Sequence, residues 1–268
     1  LETFPTMGHA QFLSSADQPS RRTADDRHLG LLSVVIPCYR SRATLPELHT
    51  RLTAALEPLG GALEIILVED CGGDDTWDVH NVISIGLAKN DGTLHLSWDH
   101  HANNLRYRVS VPGLVTNNKD AWGPGMFNAE QGHLSGTTVS VVSYPTFFNA
   151  PNGDLHFAYR NGSSGNGEFV LSTYSNGSWS TPTAFTSSGG GSYFGSNTRN
   201  AYPNGFDYGP DGKLHTTFVW REASGGANHD ISYAYSEDGG ITWKNNDGVV
   251  IANTAIGDKI AFNDPGVI

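Results

Sequence analysis

One phrase recurs three times in this chain and limits what it can fold into. Asp91-Gly-Thr-Leu-His95, Asn152-Gly-Asp-Leu-His156 and Asp211-Gly-Lys-Leu-His215 place their histidines 61 and 59 residues apart. Asp-Gly and Asn-Gly accept the positive φ that a tight turn demands. Each phrase then runs into an apolar, aromatic strand: Leu96-Ser-Trp98, Phe157-Ala-Tyr159 and Thr217-Phe-Val-Trp220. Around the first copy, residues 80–88 and 93–98 flank the Lys89-Asn-Asp-Gly92 turn as a hairpin. Sheet-sized units at a period near 60 predict a radial repeat such as a propeller, each blade a small antiparallel sheet.

The residues before 80 are of another kind. They hold six of the 32 glycines and none of the lysines. Leu32-Ser-Val-Val-Ile-Pro-Cys38 is the continuous apolar run of a buried parallel strand. Thr44-Leu-Pro-Glu47 is a capping-box pattern, and Leu45, Leu48, Leu52 and Leu56 recur at helical spacing, which predicts a helix over 44–57. Gly60-Gly61 stops it before a second strand, Leu63-Glu-Ile-Ile-Leu-Val68, ending in Glu69-Asp70. The expected class is therefore mainly β: an incomplete propeller of three to four antiparallel blades over 80–268, preceded by a short α/β (βαβ) fragment over 31–79. Residues 1–30 read as a polar leader, expected to be disordered, with no secretory signal.

Composition narrows the function. A net charge of −11 argues against binding nucleic acid through its phosphates, and no run of 18 apolar residues suggests a membrane span. Cys38 and Cys71 stand 33 apart and suggest neither a disulfide framework nor a zinc knuckle. Asn228-His229-Asp230 looks like a metal cluster but lacks a repeated ligand spacing, so no metal and no cofactor are expected.

The last unit contains Ser236-Glu-Asp-Gly-Gly-Ile-Thr-Trp243, which matches every fixed position of the sialidase-type Asp box, S-x-D-x-G-x-T-W. With HNVISIGLAKNDGTLHLSWDHH, SYPTFFNAPNGDLHFAYRNGSSGNG, AYPNGFDYGPDGKLHTTFVWRE and NHDISYAYSEDGGITW, it makes residues 80–268 resemble the BNR-repeat propellers that include ulvan lyases. That resemblance implies a polysaccharide lyase acting on an acidic, uronate-containing polysaccharide, with active-site positions falling on His80, His100, Tyr144, Arg160 and Tyr202. His101, Arg221, Asn228 and His229 are added as candidate substrate-binding residues. Lyases of this type act outside the cell; the compartment of this chain is left open. Residues 31–79 resemble the start of a family 2 glycosyltransferase, in SVVIPCYRSRATLPEL and EIILVEDCGGDDTWDV. In that family the carboxylate pair closing the second strand contacts the sugar-nucleotide base, a role that would fall on Glu69 and Asp70. Here Glu-Asp replaces the usual Asp-Asp, Arg40 stands where Asn is common, and no later D-x-D metal motif follows.

The residue types suit elimination on their own terms. Removing the C5 proton of a uronate and protonating the leaving oxygen can be done by histidine or tyrosine, and an arginine fork can clamp the carboxylate. Against this, His95, His156 and His215 share one repeat position and are expected to be structural, the tyrosines before proline could be rim aromatics, and Arg221-Glu222 could be an internal ion pair. Three function classes stay open: the lyase, a catalytically inactive carbohydrate-binding propeller fragment or fusion across the junction near Val79-His80, and the glycosyltransferase. An incomplete propeller also leaves an open sheet edge, which predicts self-association.

Overall fold

The computed structural model describes residues 32–38, 45–56, 63–69, 82–116, 123–189, 195–262, 264 and 266–267. They fall into two compact units that divide between Glu69 and Asp70. In the first, β1 (Leu32–Cys38) pairs in parallel with β2 (Leu63–Glu69), from Leu32 opposite Leu63 to Cys38 opposite Glu69. A parallel pair needs a crossover, and α1 (Leu45–Leu56) supplies it, with Arg51 held to Glu47 one turn earlier at 2.7 Å.

The second unit is built of antiparallel sheets. The first sheet takes β3 (Ile83–Ala88), β4 (Thr93–Trp98) and β6 (Tyr107–Val109), with the short β5 (His101–Asn103) leaving it for the next sheet. A small hairpin follows, β7 (His133–Leu134) with β8 (Thr137–Thr138). The second sheet runs β5, β9 (Val142–Asn149), β10 (Leu155–Ser163), β11 (Asn166–Ser175) and β12 (Ser178–Trp179), with β13 (Thr183–Ala184) also on β11. The third runs β14 (Asn200–Tyr208), β15 (Leu214–Arg221), β16 (His229–Ser236), β17 (Thr242–Lys244) and β18 (Val250–Asn253), with β19 (Gly266–Val267) on β16. These are three blades of an incomplete propeller.

The recurring phrase encodes the same turn each time. Gly92, Gly153 and Gly212 have φ of 67°, 90° and 77°. Asp91, Asn152 and Asp211 each accept, through side-chain oxygen, the amide hydrogen two residues on, at 3.0, 3.1 and 3.2 Å. This is the Asx turn that pins the start of each blade's second strand.

Blade stacking explains the burial patterns. β10, in the middle blade, is buried at six consecutive positions from Leu155 to Arg160, because Leu155, Phe157 and Tyr159 pack towards the first blade and Ala158 towards the third. β15 instead alternates strictly, with Leu214, Thr216, Phe218 and Trp220 buried and the residues between them half-exposed, as a sheet covered on one face must. The repeat histidines sit on the blade faces. His95 is fully buried between Thr93 Oγ1 at 2.8 Å and Tyr107 Oη at 2.6 Å. His156 bridges to the third blade through Tyr208 Oη at 2.8 Å and to Thr173 at 2.9 Å. Burial pushes both rings down to about 4, so they are neutral structural groups.

The Asp box closes the third blade's outer corner. Asp238 Oδ1 accepts from the amides of Ile241 and Thr242 and from Ser236 Oγ, while Ser236 Oγ accepts from Gly240 N. Trp243, with no exposed surface, donates to Gly240 O and stacks on Phe185 with ring centroids 4.7 Å apart, wedging between the second and third blades.

Candidate active site

Four of the residues singled out by the sequence meet at one end of the strands. Tyr144 lies near the start of β9, Tyr202 near the start of β14, Arg160 and Arg221 towards the ends of β10 and β15. Antiparallel pairing brings starts and ends to the same rim.

Arg160 is the centre. Its side chain is 2% exposed. Nη2 donates to Ser143 Oγ at 2.9 Å and Nη1 to Tyr202 Oη at 3.3 Å, while Nε is buried without a partner. The guanidinium stands 4.9 Å from the ring centre of Tyr144 and 5.5 Å from that of Tyr202, and the two rings meet edge to face at 5.9 Å. Arg221 lies 5.1 Å from the ring centre of Tyr202, with Nη1 donating to Ser164 Oγ at 3.3 Å and Nε to Asn228 Oδ1 at 3.1 Å. Ser164 Oγ and Tyr202 Oη share a hydrogen bond of 2.8 Å. Among the described residues no carboxylate pairs with Arg160 or Arg221, although Arg106, Arg199, Lys213 and Lys259 all have one. A buried guanidinium without a counter-ion is costly, and among the described residues hydroxyls and π-faces offset it. In a chain of net charge −11, this rim is locally positive.

The backbone around it is strained. Asp99, Ala102, Val141, Tyr144 and Asp230 have φ of 58°, 57°, 62°, 55° and 49°. For a β-branched valine or a bulky tyrosine the left-handed region is unfavourable, and such strain gathers where a site must be shaped. Tyr144 reaches this conformation at a bulge: Ser143 still pairs with Arg160, but Thr146 pairs with Ala158. The irregularity turns its ring onto Arg160. Burial raises the Tyr144 phenol above its ordinary value, with Arg160 opposing, so it keeps its proton at neutral pH.

The candidate histidines separate. His100 is wholly buried: its Nε2 accepts from the Arg106 amide at 3.3 Å and lies 3.0 Å from Ser97 Oγ, and its Nδ1 lies 2.9 Å from Asn103 Oδ1. Burial lowers its pKa, so it is a neutral loop anchor in this arrangement. His101 is exposed on β5, directly opposite Ser143, whose Oγ also accepts from Ala102 N at 2.8 Å. His80 and Asp70 lie outside the described residues, as does Cys71, and Glu69 is placed only as the last residue of β2. Asn228 is exposed and faces Arg221. His229 turns inward instead: Nε2 meets Glu222 Oε2 at 2.5 Å and Nδ1 meets Asp230 Oδ2 at 2.8 Å. Arg221 and Glu222 are not the internal pair the sequence suggested. Neighbours in an extended strand point to opposite faces, and Glu222 pairs with the buried Arg199 at 3.4 Å. Ser143 and Ser164, which bridge the arginines, had no sequence signal beyond lying beside Tyr144 and in the Gly/Ser loop.

Comparison with known proteins agrees with this fold. The model of a BNR repeat-containing family member matches residues 47–268. An ulvan lyase, long isoform, from Alteromonas sp is 27% identical over 232 residues, covering 70% of this chain and 22% of that protein. The crystal structure of polysaccharide lyase Uly1 superposes with a TM-score of 0.62 at 25% identity, covering 70% of this chain and 46% of that one. An ulvan lyase bound to a glucuronic acid and rhamnose 3-sulfate repeat shares the fold, with a TM-score of 0.50 at 12% identity, over 67% of this chain and 43% of that one. The chain thus spans less than half of each of these relatives. A second likeness is short: an undecaprenyl-phosphate 4-deoxy-4-formamido-L-arabinose transferase from Salmonella paratyphi A is 41% identical over 70 residues, 23% of this chain and 21% of that protein. With a family model that spans most of the sequence, three blades and an Asp box, the chain belongs to the BNR repeat-containing family, on a polysaccharide lyase fold.

Proposed function

We propose that the chain acts as a polysaccharide lyase on a uronate-containing, ulvan-like polysaccharide, cleaving by β-elimination. The observation that carries this reading is the Arg160 guanidinium, buried, framed by two tyrosines and, among the described residues, without a carboxylate partner. A uronate carboxylate supplies the missing counter-charge. Held there, it loses repulsion as negative charge spreads from C5 onto it, the step in which electrostatic stabilisation counts most.

The proton steps fall to the tyrosines. Tyr202 Oη, held by Arg160 Nη1 and Ser164 Oγ, takes the C5 proton after passing its own hydroxyl proton to water; the electron pair of the C5–H bond forms the C4–C5 double bond and expels the C4 oxygen with its chain. Tyr144, which burial keeps protonated, gives its proton to that leaving oxygen. His100, with both ring nitrogens engaged, acts through the loop that carries His101. No cofactor enters this scheme.

The test is ultraviolet absorbance of the unsaturated uronate formed on ulvan and on other uronate polysaccharides, for the wild type and Arg160→Lys. Lysine keeps the charge as a point and loses the fork. The expected result is that Arg160→Lys loses most turnover while retaining its circular dichroism. Full activity in that variant overturns the assignment. Saccharide binding by the wild type with no unsaturated product favours the inactive carbohydrate-binding propeller.

A further inference from the structure

Behind the site lies a charge cluster that the elimination scheme does not use. β15 ends at Arg221 and β16 begins at His229, and the loop between them is Glu-Ala-Ser-Gly-Gly-Ala-Asn. The residues at its two ends face opposite ways. Arg221 and Asn228 bond each other on the rim beside Tyr202. Glu222, 5% exposed, and His229 bond each other on the inner side. The inner bond therefore ties the two ends of the loop together one residue away from each rim group.

The ring of His229 lies between two carboxylates, Glu222 at Nε2 and Asp230 at Nδ1. Carboxylate oxygens only accept hydrogen bonds, so both nitrogens must carry protons for both bonds to exist. Among the described residues, the charged groups around the cluster are Glu222 from the end of β15, Asp230 on its own strand, and Arg199 from the segment before β14, which pairs with the far oxygen of Glu222. Phe262 packs against both His229 and Arg199, at 5.6 and 4.9 Å. With the imidazolium present, two positive and two negative charges balance; without it the cluster holds a surplus carboxylate. Burial opposes charging of the ring, but the two carboxylates outweigh it and raise its pKa. The loop also seats tightly on the second blade: a methyl group added at Gly165 would lie 2.5 Å from Ala223 backbone atoms.

We propose that His229, as an imidazolium between Glu222 and Asp230, is the clasp that closes the 222–229 loop and positions Arg221 and Asn228 beside Tyr202 for an anionic saccharide. His229 is then a positioning residue that does not touch substrate. The saccharide part rests on the lyase reading; the clasp itself does not. Loss of the ring proton opens the loop and weakens saccharide retention, so the effect falls on KM at alkaline pH.

The experiment has two arms on the full chain. In the first, 15N-labelled histidine is titrated by NMR while amide exchange of residues 223–228 is followed by mass spectrometry. His229 is expected to be doubly protonated at pH 7, and loop exchange to rise at least tenfold as it deprotonates. In His229→Gln the fast exchange is expected already at pH 6. Asp230→Asn, an isosteric change at a half-buried position whose positive φ Asn tolerates, is expected to fold and to move the opening to lower pH. In the second arm, elimination of ulvan is expected to show KM raised five- to tenfold in His229→Gln with kcat within twofold, and the alkaline limb of kcat/KM shifted down in Asp230→Asn. A neutral His229 at pH 7, or loop exchange unchanged in both variants, overturns the clasp. If the wild type eliminates nothing, the lyase reading fails, and the exchange arm alone decides the clasp.

Discussion

Acid should unfold the bladed unit through two histidines that the repeat buries. His95 and His156 are neutral in the fold, with pKa pushed from 6.5 to about 4, first by burial, which nearby carboxylates only partly oppose. In the unfolded chain each regains its ordinary value and binds a proton below it. Stability is therefore fully present above pH 6.5, is lost as pH falls from 6.5 towards 4, and is flat below that with respect to these rings. Working the linkage through, each histidine removes about 1.4 kcal/mol by pH 5.5 and about 2.6 kcal/mol by pH 4.5. Together they take away about 3 kcal/mol at pH 5.5, a large part of an ordinary domain's stability. The assay is urea unfolding by tryptophan fluorescence at pH 7.5 and 5.5 for the wild type, His95→Gln and His156→Gln. Each variant starts less stable, having lost hydrogen bonds to Tyr107 or Tyr208. Its stability difference between the two pH values should nonetheless shrink by about 1.4 kcal/mol relative to wild type. A pH dependence identical to wild type in both variants would refute the claim that these rings are buried neutral.

Other expectations follow from single contacts. Ser143→Ala deprives both Arg160 Nη2 and Ala102 N of their acceptor; it should cost about 1–3 kcal/mol in thermal unfolding and lower kcat more than it raises KM. Trp243→Ala empties the wedge against Phe185 and should cost about 3–5 kcal/mol by denaturant titration. Gly165→Ala places a methyl group into the Ala223 backbone at φ 72°, so it should force the two rim loops apart and raise KM for a uronate polysaccharide while leaving the Asp box intact.

Much of the fold was legible because it is local. The Asx turns at Asp91, Asn152 and Asp211 depend on residues two apart, and the Asp box closes within eight residues, so both could be read as phrases. The helix expected over 44–57 spans Leu45–Leu56, since helical spacing is local as well. The six-residue burial of β10 was not legible as such: it arises because the second blade lies between two others. At the site, Tyr144, Arg160, Tyr202 and Arg221, singled out from the sequence, lie together because consecutive strands pair within each blade and the second blade packs against the third. Ser143 and Ser164 gave no signal, being ordinary strand and loop serines until Arg160 and Arg221 approach them. The inward turn of His229 was equally hidden, because Glu222 reaches it, and Arg199 reaches Glu222, only once the third blade is folded.

The central claim is that the buried guanidinium of Arg160, which meets no carboxylate among the described residues, receives a uronate carboxylate. It is tested most directly by calorimetric affinity for an ulvan oligosaccharide and for its carboxyl-reduced counterpart, measured with wild type and Arg160→Met. A charge-assisted, forked hydrogen bond contributes about 1.5–3 kcal/mol. The wild type should therefore bind the native oligosaccharide roughly ten- to a hundredfold more tightly than the reduced one, by the same constant, whereas Arg160→Met should bind the two alike. Equal affinities in the wild type, or an undiminished preference in Arg160→Met, would contradict the account.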